Sequence, residues 1–115
     1  MTQRDDRITL AEIAENIGRA REFLSGHSLS SFENDHKTAY AVVRALEIIS
    51  EAARRLSSEL KSRHPQIPWR QVEDAGNAYR HIYHSLQAAV IWDTAHKPLD
   101  ELLEVVEKEM DDGNA

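Results

Sequence analysis

The chain has 115 residues, 20 acidic against 14 Lys and Arg, a formal net charge of -6, and no cysteine. That length makes one domain with one core. The acidic balance argues against a generally basic nucleic-acid binder, and the missing thiols exclude a disulfide framework or thiolate chemistry. No apolar run approaches the ~20 residues that span a bilayer, and the start Met1-Thr2-Gln3-Arg4-Asp5-Asp6-Arg7 lacks the apolar stretch of a signal peptide. The chain therefore reads as cytoplasmic, with no membrane partner.

Thr9 and Glu12 have the spacing of a capping box, which opens a first helix. Leu10, Ile13, Ile17, Ala20 and Leu24 repeat at three and four along it, and Gly26 stands where a helix-ending glycine belongs. Residues 27–31 read as a polar linker. A long second helix is expected over residues 32–62, because Val42, Leu46, Ile49, Ala53, Leu56 and Leu60 keep one apolar stripe. Glu51 and Arg55 stand in the favourable i, i+4 order on its other side. The pair His64-Pro65 ends it. The width of its apolar face suggests that it also serves a homodimer.

Pro68 restarts a helix running to about residue 84. Trp69, Val72, Gly76, Tyr79 and Tyr83 form its inward stripe, and Arg70, Asp74, Asn77, His81 and His84 its polar stripe. A last segment over residues 87–110 carries Leu99, Leu102, Val106 and Met110 on one face and is broken by Pro98. The whole is an all-α, up-and-down bundle of four to five helices forming a single domain over residues 1–115, with 1–7 and 111–115 fraying.

Chemistry concentrates on the polar stripe. His81 has the side chain best suited to a general base near neutral pH, and Arg80 beside it can grip or stabilise a phosphate. The bland alternatives are a surface histidine and an arginine paired with Glu73 or Asp74. His81 and His84 lack a third ligand at metal spacing, so neither a metal site nor a cofactor is expected. Tyr83 is either a rim tyrosine of the core or a group at the edge of a site.

Several of these segments together resemble the HepT-like ribonucleases of the HEPN all-helical superfamily. The matching features are Ile13 and Ile17, Phe32 and Asp35, Leu46-Glu47-Ile48-Ile49 leading to Glu51-Ala52, and Pro65 followed by Ile67-Pro68-Trp69. They continue with Asn77, His81-Ile82-Tyr83, Val90 and Trp92, and the leucine pair after Pro98. The resemblance implies a homodimeric, metal-independent endoribonuclease toxin acting on RNA. It places catalysis at His81 and AMP addition at Tyr83, performed by a minimal nucleotidyltransferase antitoxin. Asn77 and His84 then support the site. The family's arginine is expected at Asp74, Ala75 or Gly76, none of which is arginine. Arg80 or Arg70 takes its place, or the chain is a weakened helical module that partners a nucleotidyltransferase or binds a nucleotide.

Overall fold

The computed structural model describes residues 4–79 and 85–113, with side chains described for residues 5–75 and 88–112. Among them all regular structure is helical: α1 (Arg4–Leu24), α2 (Leu29–Glu33), α3 (His36–Arg55), α4 (Ser58–Ser62), α5 (Trp69–Tyr79), α6 (Ser85–Thr94) and α7 (Lys97–Gly113). The all-α expectation therefore holds. Five helices of ten residues or more carry the bundle, and two single-turn helices link them.

α1 starts earlier than the Thr9–Glu12 spacing suggested. Thr9 lies inside the helix, and its hydroxyl donates to the Asp5 carbonyl at 3.0 Å instead of capping. Residues 4–7 and 111–113, expected among the loose ends, are helical. Asp6 explains the first of these: its buried carboxylate accepts from the Ser57 backbone N–H at 2.9 Å and the Ser57 hydroxyl at 2.6 Å. α1 ends as expected, with Gly26 at φ 82, a left-handed conformation that suits glycine.

The long second helix is three helices. The expected polar linker folds into α2, whose N-cap Ser28 exchanges hydrogen bonds with Ser31 in a capping box. Asp35 then caps α3, accepting from the Thr38 N–H at 3.0 Å and the Thr38 hydroxyl at 2.7 Å. These bonds hold the Asp35 carboxyl below its ordinary range, mainly through the Thr38 backbone N–H. A second break follows Arg55, where Leu56 is extended and Ser57 caps α4 by accepting from the Leu60 N–H at 3.2 Å. Arg55 meets the Glu12 carboxylate of α1 at 2.9 Å, while reaching only the backbone carbonyl of Glu51.

α3 is the centre of the bundle. It packs on α1 at one side and α5 at the other, while α7 closes over α1. Leu10, Ile13 and Ile17 of α1, Val42, Leu46 and Ile49 of α3, and Leu99, Leu102 and Val106 of α7 share one buried core. Each such side chain contributes about 1.5–3 kcal/mol by leaving water. Phe32 of α2 meets Trp92 of α6 with ring centroids 5.7 Å apart, which fixes the short helix against the bundle. α6 and α7 are separated at Ala95 and His96, so Pro98 sits in the first turn of α7, where proline fits.

Candidate active site

α5 is the helix that leads into the His-x-Tyr element. Its start is fixed by Trp69, whose indole N–H donates to the carbonyls of Lys61 at 3.1 Å and His64 at 3.0 Å. Trp69 and Val72 lie half-buried against the core, as the inward stripe requires. Lys61 and Glu73 form an ion pair of 3.0 Å that ties α4 to the same turn. Glu73 is therefore already engaged by a cation.

Arg70 and Asp74 are exposed, on the face away from Trp69 and Val72. Arg70 has no ion-pair partner among the described residues. The backbone of Asn77 continues α5 on the same stripe, but its side chain lies outside the described residues. Arg80, His81, Tyr83 and His84 lie wholly outside them, as does the proposed end of the inward stripe at Tyr83. Of the named site residues, the structure thus places Arg70 alone with its side chain. Among the described residues no three His, Asp or Glu side chains gather as a metal-binding group. No described helix is long and apolar enough to cross a membrane.

Beside α5 runs a groove of about 310 Å³. Ile49 of α3, Val72 and Gln71 of α5 and Leu99 of α7 line it among others.

One polar assembly near this helix was missed in the sequence. His64 is buried, and its Nε2 lies 2.5 Å from Oε2 of buried Glu109. Arg63 donates to the same carboxylate, Nε to Oε2 at 3.2 Å and Nη2 to Oε1 at 2.8 Å. The Arg63 guanidinium is held more firmly protonated by the Glu109 hydrogen bonds, then by the charges of Glu109, Glu59 and Asp6. This assembly ends α4, and its His64 also offers one of the two carbonyls that receive Trp69. A signal for it exists. Leu99, Leu102, Val106 and Glu109 run at three, four and three, so the carboxylate falls on the core face of α7.

A helical domain with one helix leading its polar face into a His-x-Tyr element is the class these features define. The chain belongs to the ribonuclease HepT-like family, whose profile matches residues 13–109. A protein named a probable ribonuclease HepT from Thermococcus cleftensis is 35% identical over 106 residues, covering 92% of this chain and 96% of that one. A candidate RNase of Caldanaerobacter subterraneus is 33% identical over 103 residues, covering 83% and 92%. Another, from Methanocaldococcus jannaschii, is 29% identical over 107 residues, covering 93% and 98%. No solved structure matches the chain.

Proposed function

We propose that this protein is a metal-independent endoribonuclease toxin that acts as a homodimer in the cytoplasm and is silenced by AMP addition to Tyr83. The observation that carries the reading is the family match over residues 13–109, which contains the whole stretch from Arg70 to His84. The exposed polar face of α5 at Arg70 and Asp74 supports it.

In this mechanism His81 takes the proton of a ribose 2′-hydroxyl. The 2′-oxygen attacks the adjacent phosphorus, the bond to the 5′-oxygen breaks as that oxygen leaves with a proton taken from water, and a 2′,3′-cyclic phosphate forms. Arg80 or Arg70 stabilises the charge that grows on the phosphoryl oxygens, with Asn77 and His84 in support. Two copies of the stripe at a dimer interface double the local positive charge, which offsets the acidic net charge. A minimal nucleotidyltransferase transfers AMP from ATP to the Tyr83 oxygen, releasing pyrophosphate. The added phosphate competes with RNA for the same cations.

The test is cleavage of labelled RNA by purified protein. Activity survives EDTA, and His81→Ala lowers the rate about a hundredfold or more. Arg80→Ala is more harmful than Arg54→Ala, since Arg54 is an exposed arginine of α3 that has no part in the His-x-Tyr stretch. Equal losses from the two arginines would reduce the effect to general phosphate attraction.

A second reading rests on one observation. Gly76 stands where the family's arginine is expected. A helical dimer that partners a nucleotidyltransferase or binds a nucleotide, without cutting RNA, fits that loss. Absence of cleavage, with binding to the nucleotidyltransferase intact, selects it.

A further inference from the structure

We propose that the outer face of the first half of α3 is a stacking platform for single-stranded RNA, with Tyr40 beneath a base and Lys37 and Arg44 on the flanking phosphates. This inference rests on the ribonuclease reading above and names the surface that would hold the strand.

Tyr40 is 70% exposed, more than Ile8 at 64% or Val90 at 54%, the next large apolar side chains on the described surface. The ring has no packing role that would explain it there, since α3 buries Val42, Ala45, Leu46 and Ile49 on its other side. Lys37 lies three residues before Tyr40 and Arg44 four after, so all three share one helical stripe. At 1.5 Å of rise per residue, the cations stand about 4.5 Å and 6 Å to either side of the ring along the axis. Both are exposed, and neither has an ion-pair partner among the described residues. Exposed His36 adds a further donor beside them.

The neighbouring acids do not pair with this charge, and Glu33, four residues before Lys37, forms no ion pair with it. Asp35 is committed to the α3 cap through Thr38. Glu47 and Glu51, farther along, are half-buried and carry interactions of their own. An aromatic face between two unpaired cations is what a single strand needs: a π-surface for a base and positive charge for its backbone. On a protein of net charge -6 such a local grip also offsets the general repulsion of RNA. A second copy of the chain is a poorer occupant. A two-fold contact through this patch would set Lys37 and Arg44 against the same two cations of the second copy.

The test is fluorescence anisotropy with a fluorescein-labelled single-stranded A12 RNA. The full chain carries His81→Ala to prevent cleavage. Tyr40→Ala weakens binding about tenfold, within the range for loss of one base–aromatic stack, while Tyr40→Phe stays within about twofold. Lys37→Ala and Arg44→Ala each lower the slope of log affinity against log salt by about 0.7. Lys97→Ala, a matched loss of charge on α7, leaves the slope unchanged. Circular dichroism confirms that each variant is folded, as expected for exposed positions. Binding by folded Tyr40→Ala within twofold of its parent overturns the platform, and the ribonuclease reading stands if wild-type protein still cuts RNA. Wild-type protein that neither binds nor cuts RNA overturns both. A shift of Tyr40→Ala from dimer to monomer in light scattering overturns the platform in favour of contact with a second copy.

Discussion

Replacing Glu109 with alanine removes a carboxylate that is 4% exposed and anchors two cationic or titratable partners. At least three contacts vanish together: 2.5 Å to His64, and 2.8 Å and 3.2 Å to Arg63. Removing one partner of a buried charged pair costs about 3–5 kcal/mol. The value here is lower, because Arg63 is 32% exposed and keeps Glu59 at 3.3 Å. His64 is only 7% exposed and has no second carboxylate among the described residues. A net loss of about 2–4 kcal/mol follows, since each charge-assisted bond contributes about 1.5–3 kcal/mol and solvent returns part of it. At about 4 °C per kcal/mol for a domain of this size, the midpoint falls by about 8–16 °C. Thermal unfolding followed at 222 nm measures that midpoint and urea denaturation the free energy, with exposed Glu104→Ala as the control near zero. A cycle with His64→Ala adds the decisive comparison, because residues in one network couple by about 0.5–3 kcal/mol. A Glu109→Ala loss under about 0.5 kcal/mol, or strict additivity with His64→Ala, would refute the claim that this network holds the α4–α5 connection.

Leu60→Ala empties a site that is 0% exposed, and lowers stability by about 2–5 kcal/mol in the same assay. Asp35→Asn tests the α3 cap through pH. The folded-state carboxyl titrates below its ordinary value of 3.8, so the charge stabilises the fold fully above that value, and the benefit drains away as pH falls through it. The stability difference between wild type and Asp35→Asn is therefore present at neutral pH and disappears in strong acid, as urea midpoints across the range will record. Tyr83→Phe abolishes the mass increase of AMP on co-expression with a cognate nucleotidyltransferase and leaves the fold intact. An adduct at Tyr40 or Tyr79 would end that assignment.

The apolar stripes were the most legible part of the sequence. Leu10 to Leu24 and Leu99 to Val106 are buried in the register their spacing requires. The breaks around α3 were not, because Leu56 and Leu60 preserve the three-and-four rhythm straight through the extended residue. The deciding signals were local hydrogen bonds: the Asp35 cap, and the Ser57 cap reinforced by an aspartate 51 positions away. Periodicity carries no information about such a partner. Polar residues in core register were passed over for the same reason. Asp6 fell in the end expected to fray and Glu109 drew no notice, because only the fold brings Ser57, Arg63 and His64 to them. Arg70 was legible as an exposed member of the α5 stripe. The His-x-Tyr element was legible as a pattern, by resemblance.

The Asp6–Ser57 and Arg63–Glu109 contacts have a consequence for how the chain is made. Arg63 feels the charge of Asp6 while binding Glu109, so these groups belong to one end of the bundle. Yet positions 6 and 109 are 103 residues apart in the order of synthesis. At about 5–20 residues per second, Asp6 exists for about 5–20 s before Glu109 does. During that interval α1 and α3 can pair, but Arg63 and His64 have no carboxylate from α7. This end of the domain is therefore the last to lock, and the turn that seats Trp69 at the head of α5 gains its final support only when α7 arrives.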